Sequence, residues 1–202
     1  MPDPGGTPHT PGVPGAPGAP APPAPQDDTP AAGPPAVPAP DGPPTADQLR
    51  RAAARYATGI TVITTVAGGV DHAMTANSFT TVSLDPLLAL VCVARDSRFH
   101  DAVLSAGTWS ASVLPEGQEA TARWFATRGR ALAGQFAGVA TRRGANGCLL
   151  LSDGLAGLEL RTTQVVRAGD HDVLIAEVTA IHDPDPAGRP LVYFASQFHT
   201  LS

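Results

Sequence analysis

The fold is decided at residues 72–93, which read His-Ala-Met-Thr-Ala-Asn-Ser-Phe-Thr-Thr-Val-Ser-Leu-Asp-Pro-Leu-Leu-Ala-Leu-Val-Cys-Val. A cluster of small hydroxyl and amide side chains lies here between two apolar runs that have the pattern of strands. Asp85-Pro86 breaks the chain before the second run, Leu87 to Ala94. Small polar groups in such a place can bind a polar, planar, phosphate-bearing ligand without any lysine.

Strand and helix patterns continue on both sides of this cluster. The β-branched run 60–66 ends at Gly68-Gly69 and is expected to pair with 73–80 in a hairpin. Further strands are expected at 109–114, 158–166, 173–181 and 191–194. Helices are expected at 46–57, with a Thr45/Gln48 capping box, at 97–105 with Ser97 as N-cap, and at 118–126, with short helix and loop in 128–147.

The order of these elements indicates a mainly β fold. Strands that return by hairpins, with helices in the minority and no regular βαβ alternation, favour an antiparallel barrel over a Rossmann sheet. Residues 45–202 make 158 positions, which is enough for one domain with a sizeable core.

Residues 1–44 have a different composition. They hold 17 of the 22 prolines and 7 of the 21 glycines, with no aromatic residue, lysine or arginine. Such a segment cannot bury a core, so we expect a disordered Pro-rich extension. It lacks the basic start and apolar stretch of an export signal, which favours a cytoplasmic protein.

Composition and motifs exclude several classes of function. The domain has 14 acidic residues and 13 arginines, so no cationic face for nucleic acid or anionic lipid is expected. No apolar run approaches the roughly 20 residues that span a bilayer, and no metal-ligand spacing occurs among the histidines. Gly-x-Gly-x-x-Gly, Walker, His-Glu-x-x-His and Gly-x-Ser-x-Gly motifs are absent, so a bound nucleotide must use another architecture.

The polar cluster itself allows two interpretations. Hydroxyl and amide groups at Thr75, Asn77, Ser78, Thr80, Thr81 and Ser83 lie within nine residues, and Ser97-Arg98 adds a cation at an expected helix start. These groups suit a phosphate and the polar rim of a ring. Composition alone favours an ordinary threonine-rich strand and turn, because Ser and Thr are common at turns.

Five ordered blocks resemble the short-chain flavin reductases of two-component monooxygenases, and they cover essentially all of 45–202. The blocks are 56–65 (Tyr-Ala-Thr-Gly-Ile-Thr-Val-Ile-Thr-Thr), 74–79 with 82–86, 91–93, 169–171 (Gly-Asp-His), and 190–193 followed by Phe198-His199. The resemblance implies an FMN-binding, Greek-key split barrel that forms a homodimer. It also implies reduction of FMN, or possibly FAD, by NADH or NADPH, with release of reduced flavin to a separate monooxygenase.

The resemblance also implies which residues bind the cofactors, while no catalytic side chain or metal ligand is expected. The implied set is Met74, Thr75, Asn77, Ser78, Ser83, Cys92, Val93, Ala94, Ser97, Arg98, Phe125, His171, Tyr193, Phe194, Ala195 and Ser196. His171 and the residues from Tyr193 onward are expected on the nicotinamide side.

Three positions depart from the pattern of this family. Ala195-Ser196-Gln197 stands where many relatives have an arginine and a glycine, and Ala73 and Ala176 stand where glycine is common. The missing arginine keeps two alternatives open. One is a flavin-binding carrier or sensor that is not a reductase, and the other is a split-barrel FMN oxidase or oxygenase.

Overall fold

The computed structural model describes residues 42–182 and 187–201. The expected Pro-rich extension, 1–44, therefore lies outside the described residues except for its last three. Three helices occur in the described part: α1 (Ala46–Ala53), α2 (Arg98–Ala106) and α3 (Glu119–Ala126). Thr45 and Gln48 form the expected capping box of α1, and the Ser97 hydroxyl accepts from the His100 N–H as the N-cap of α2.

Most of the described chain is β-structure. The strands are β1 (Thr58–Gly59), β2 (Thr61–Ala67), β3 (Val70–Ala76), β4 (Thr80–Leu84), β5 (Leu87–Ala94), β6 (Thr108–Val113), β7 (Thr141–Arg143), β8 (Leu149–Leu151), β9 (Ala156–Ala168), β10 (His171–His182), β11 (Val192–Phe194) and β12 (Gln197–His199). Seven of them form one antiparallel sheet in the order β3-β2-β6-β9-β10-β5-β4. The mainly β fold with a few helices is therefore confirmed.

The two outermost strands of this sheet are consecutive in the chain. Only residues 77–79 separate β3 from β4, so the link can span about 14 Å at full extension. In a flat sheet of seven strands the outer strands would lie about 29 Å apart. The sheet must therefore curve until its two edges approach each other, although β3 and β4 are not paired. We call this unpaired junction, residues 77–79 with the edges of β3 and β4, the seam.

Two apolar clusters pack against opposite faces of the sheet, since Val62 and Ile63, which are neighbours in β2, belong to different clusters. The larger cluster centres on Ile63, Val91 and Trp109, and α2 packs against it through Phe99 and Val103. The second cluster joins α3 and the C-terminal strands to the sheet; its members include Ile60, Leu114, Phe125 and Leu191. Both helices that flank the seam are thus held by burial of apolar side chains.

Element boundaries agree with expectation where local signals are strong. β5 has the expected limits, and α2 and α3 differ from expectation by a residue. The helix expected at 46–57 ends at Ala53 because α1 has no buried residue to prolong it. The strand expected at 73–80 ends at Ala76 because the chain leaves the sheet at the seam.

Of the short helix and loop expected in 128–147, only the loop is found. No helix occurs among these described residues, which form turns followed by β7. Its shape depends on distant partners rather than on local propensity. The side chain of Gln135 donates to the Asp71 carbonyl oxygen at 2.7 Å, and Asn146 donates to the Trp109 carbonyl oxygen at 3.0 Å.

A buried carboxylate fixes the end of this segment. Glu159 accepts hydrogen bonds from the backbone N–H groups of Ala145 (3.1 Å) and Asn146 (2.6 Å) and contacts Nε2 of His182 at 2.8 Å. Burial alone would raise the pKa of Glu159, but these donors together hold its pKa below the ordinary value. The ionised carboxylate is therefore the stable form.

Gly144 lies directly beside this carboxylate. A Cβ at position 144 would lie 2.7 Å from Cδ of Glu159, whose three hydrogen bonds prevent it from moving aside. We expect Gly144→Ala to lower the free energy of unfolding by about 1–3 kcal/mol through overpacking. Chemical denaturation measures the effect. Gly59→Ala is the control, since its Cβ would meet nothing within 4 Å, and equal stability of the two variants would contradict the argument.

Candidate functional site

A cleft of about 530 Å³ opens beside the seam. Its walls are the end of β3, the end of β5, the start of α2, and the end of α3 with residues 127–130. Ten of the sixteen residues expected to bind cofactors line it: Met74, Thr75, Asn77, Ser78, Cys92, Ala94, Ser97, Arg98, Phe125 and His171. Residues far apart in the chain meet here because the curved sheet brings β3 next to β5 and the turn before β10.

The other six expected residues lie elsewhere. Tyr193 and Ser196 line a second cavity of about 600 Å³, which shares Thr75, Asn77, Ala126 and Thr127 with the first. Val93 is completely buried in the core, so its side chain faces away from the cleft. Ser83, Phe194 and Ala195 are not among the residues that line either cavity, and the Ser83 hydroxyl accepts from the Asp85 N–H instead.

One end of the cleft is suited to a phosphate. Ser97 caps α2, which points the remaining N–H groups of the first turn and the positive end of the helix dipole outward. Arg98 is the first residue of α2, lines the cleft and is exposed. Within the described residues its guanidinium has no hydrogen-bond or ion-pair partner, so its donors are available to an anion.

A second guanidinium, that of Arg130, lies buried in the wall of the cleft. It donates to the carbonyl oxygens of Phe125 (2.9 Å), Thr127 (3.2 Å) and Ala73 and to the Gln135 side chain, and it lies over the Phe125 ring. Burial, and then the nearby charge of Arg98, lower its pKa. Because its donors are engaged by the protein, Arg130 shapes the wall and adds positive potential.

The rim of the cleft carries an ion pair between Arg128 and Asp96. The shortest contact, Nη1 of Arg128 to Oδ2 of Asp96, is 2.9 Å, and both side chains are exposed. The hydrogen bond from Arg128 lowers the pKa of Asp96, so the carboxylate stays ionised near neutral pH. Asp96 is the one acidic residue among the described residues that line the cleft, and Arg128 offsets its charge.

The seam supplies polar groups for the rim of a planar ligand. The Ser78 hydroxyl donates to the Cys92 carbonyl oxygen at 3.3 Å and accepts from the Cys92 N–H at 3.1 Å, which ties the seam to β5. Thr75 donates to the Ala122 carbonyl oxygen of α3 at 2.7 Å. The Asn77 side chain has no hydrogen-bond partner among the described residues, and it borders both cavities.

The turn between β9 and β10 places His171 at the cleft. Its Nδ1 lies 2.8 Å from Oδ1 of Asp170, and the ring is partly exposed. Across the second cavity, β11 and β12 form a hairpin whose two turn residues, Ala195 and Ser196, have φ of 51° and 63°. Left-handed backbone costs such residues about 1–2 kcal/mol each, which explains why glycine is common in this turn among the relatives that the sequence resembles.

Sequence reasoning missed the residues that come from the incorrectly predicted segment. Arg128, Gly129 and Arg130 line the cleft, as does Asp96. The only signal for them is the run Thr-Arg-Gly-Arg at 127–130, directly after a helix that carries an expected site residue. Nothing in that run says which of the two arginines is buried.

The described residues contain neither a metal cluster nor a helix that could span a membrane. They contain no group of three or more His, Cys, Asp or Glu side chains that could hold a metal ion. Among the described helices, none has the length and apolar character needed to cross a bilayer.

The buried and exposed arginines of this cleft predict different mutational effects. Arg130→Gln leaves the Phe125, Thr127 and Ala73 carbonyl oxygens short of donors, so we expect the free energy of unfolding to fall by about 1–3 kcal/mol. Arg128→Gln, two residues earlier, removes a fully exposed ion pair and serves as the control with little expected change. Denaturant titration of both variants measures the difference, and an unaffected Arg130→Gln protein would refute the assignment.

Comparison with known proteins shows which family and which relatives this chain is similar to. The family model described as flavin reductase like domain matches residues 53–202. A probable flavin reductase of Rhizobium meliloti is 43% identical over 136 residues, which cover 67% of this chain and 43% of that protein. The chain thus spans less than half of that relative's length.

Two other relatives match over most of their length. The NADH:riboflavin 5'-phosphate oxidoreductase of Streptomyces pristinaespiralis is 40% identical over 155 residues, covering 75% of this chain and 86% of that protein. The crystal structure of BorF, the flavin reductase component of a bacterial two-component tryptophan halogenase, superimposes with a TM-score of 0.73. It is 38% identical and the match covers 78% of this chain and 98% of BorF.

Proposed function

The chain belongs to the flavin reductase family, and from this premise we propose how its two cavities perform the reaction. It is an NAD(P)H:flavin oxidoreductase that reduces FMN or FAD. In our proposal the cleft beside the seam binds the flavin, and the adjoining cavity binds the nicotinamide. The observation that carries this assignment is the common wall of the two cavities, Thr75, Asn77, Ala126 and Thr127.

The phosphate end of the flavin is assigned to Arg98 and the first turn of α2. An unpaired guanidinium beside a helix N-terminus offers charge-assisted hydrogen bonds and a favourable dipole. Asn77 and the backbone of the seam are assigned to the polar rim of the ring. Met74 and Phe125 supply apolar surface along the cleft.

The residues of the second cavity orient the hydride donor. Tyr193 packs edge-on against Phe198 at 5.3 Å, and the guanidinium of Arg123 lies 4.8 Å from the centre of the Phe198 ring. This arrangement forms a rigid aromatic wall opposite Asn77 and Thr127. Bound flavin supplies the hydride-accepting chemistry, while the chain contributes placement and exclusion of water. No side chain of the site is assigned a covalent or proton-transfer role.

The partner of this reaction is assigned by analogy with the relatives. BorF serves a two-component halogenase. We infer that this chain likewise releases reduced flavin to a separate monooxygenase. The partly exposed position of His171 at the cleft mouth supports exchange of the flavin with solvent. The domain limits 45–202 and the cytoplasmic location stay predictions.

A steady-state assay tests the reductase assignment. We expect oxidation of NADH or NADPH by the purified full chain to require added FMN or FAD and to yield free reduced flavin under anaerobic conditions. Asn77→Ala should lower kcat/KM about tenfold without lowering Tm, because within residues 42–182 and 187–201 its amide has no hydrogen bond to lose. Flavin binding without turnover would favour the carrier, whereas turnover with retained flavin and direct use of oxygen would favour the oxidase.

A homodimer is part of the proposal, supported by unpartnered apolar surface. Helix α1 has no buried residue, Leu49 of α1 and Tyr56 after it are exposed, and Leu84 of β4 is 82% exposed. Such surface on separate elements indicates contact with another protein surface. Since the sequence resemblance implies a homodimer, we infer that a second copy of this chain covers it.

Light scattering after size exclusion tests this inference. We expect twice the mass of one chain, and Leu84→Asp should shift the wild-type dimer toward monomer because it places a charge in the contact. Ile181→Asp, which changes another exposed apolar residue on β10, is the variant with which Leu84→Asp is compared. A wild-type monomer at micromolar concentration would contradict the inference.

A further inference from the structure

A buried ion pair lies directly behind the phosphate end of the cleft, between His100 of α2 and Asp172 of β10. Nε2 of His100 lies 2.8 Å from Oδ2 of Asp172, and both side chains are about nine-tenths buried. Nδ1 of the same ring lies 3.1 Å from Oδ1 of Asp101. An imidazole can donate from both nitrogens only when it is protonated, so the geometry indicates an imidazolium between two carboxylates.

This pair connects two parts of the chain that both reach the cleft. His100 follows Arg98 by two residues in the first turn of α2, and Asp172 directly follows His171. The turns beside them are also joined, since the Arg95 N–H donates to the Asp170 carbonyl oxygen at 3.0 Å. Movement at the pair would therefore displace Arg98 and His171 together.

Stability alone is a weak explanation for such a pair. Burying two charges costs desolvation that their attraction only partly repays, and well-packed apolar side chains often do as well. The pairing is also incomplete, because Oδ1 of Asp172 accepts no hydrogen bond and lies 3.7 Å from Nε of Arg95. The directional contact fixes the rotation of the first turn of α2 relative to β10.

We propose that the His100–Asp172 pair is a positioning device that holds Arg98 and the start of α2 toward the flavin phosphate. The inference rests on the proposed function, because it needs Arg98 to bind that phosphate. Neither residue of the pair lines the cleft, so its action is indirect. Loss of the pair should therefore weaken binding of phosphorylated flavin and leave the ring subsite intact.

The experiment compares FMN with riboflavin, which lacks the phosphate, by fluorescence quenching on the full chain. We expect the wild type to prefer FMN and Arg98→Gln to reduce that preference about tenfold, the effect of one charge-assisted hydrogen bond. Asp172→Asn and His100→Gln should reproduce most of this loss, with riboflavin affinity changed by less than about twofold. Combining Asp172→Asn with Arg98→Gln should add little, because both act on the same contact.

The chain offers a matched control in its other buried carboxylate–imidazole pair. Glu159 and His182 lie 2.8 Å apart at the opposite ends of β9 and β10 from the cleft. Glu159→Gln should lower Tm and leave the preference for FMN unchanged. This comparison separates positioning from a general loss of stability.

The outcomes separate the phosphate site at Arg98 from the positioning role of the His100–Asp172 pair. An unchanged preference in Arg98→Gln, or a wild type without preference, overturns the phosphate site and with it the positioning role. The positioning role alone is overturned if Arg98→Gln loses the preference for FMN but Asp172→Asn and His100→Gln keep it in full. It is also overturned if these two variants weaken the binding of FMN and riboflavin equally.

The wild-type pH dependence gives a second readout that needs no variant to fold. The hydrogen bond to Asp172 is the main cause that raises the pKa of His100, and Asp101 adds to it against the effect of burial. The stabilisation is therefore complete below pH 6.5 and is lost as the pH rises through the raised value of the folded protein. We expect the FMN preference to fall as the pH rises above 6.5 through that raised value, where the phosphate is mostly a dianion, and to stay flat in Arg98→Gln.

Other groups near α2 do not produce this profile. The charged neighbours of the pair are Asp101, Arg95, and Arg167 of β9, which is the register partner of Asp172. From β3, Asp71 is bound to Arg143, and burial lowers the pKa of His72, which moves the titration of that histidine away from the range above 6.5. Strands β2, β5 and β6 contribute no charged side chain. A flat wild-type profile would contradict the proposal.

Discussion

The three-residue link at 77–79 is the constraint on which this structure depends. It is too short to join the outer strands of a flat seven-stranded sheet, so the sheet must curve and its edges must approach each other. The edges do not pair, and the Ser78 hydroxyl instead bridges to the backbone of Cys92. The same residues thereby form the wall between two cavities, so the site is a direct consequence of how the sheet nearly closes.

The three arginines around the cleft have different roles, although the sequence does not distinguish them. Arg130 donates to carbonyl oxygens and supports the wall, and Arg128 neutralises Asp96 at the rim. Arg98 has no partner for its donors among the described residues. Behind Arg98, the His100–Asp172 pair holds the helix start in place. This arrangement concentrates positive potential at one end of an otherwise apolar and amide-lined cleft, which suits a ligand with a planar ring and a phosphate.

Much of the fold was predictable where local signals and long-range packing agree. Leu87 to Ala94 is apolar, rich in β-formers and bounded by Asp85-Pro86, and it forms β5 with the expected limits. Ser97 and the capping box at Thr45 predicted two helix starts because a cap is a local hydrogen bond. The short helix predicted in 128–147 was wrong because the conformation of this segment is set by contacts such as that of Gln135 with Asp71, which are remote in the sequence.

By itself the sequence determined the class of fold, the family and ten of the residues that meet in the cleft, since alternation, caps and ordered motifs are properties of neighbouring residues. Only the tertiary structure decided that Val93 faces the core, that Tyr193 and Ser196 belong to a second cavity, and that Arg98 rather than Arg130 is free to bind an anion. The physical reason is that burial and hydrogen-bond saturation depend on partners brought together by the curvature of the sheet. Local spacing carries no information about which partners those are.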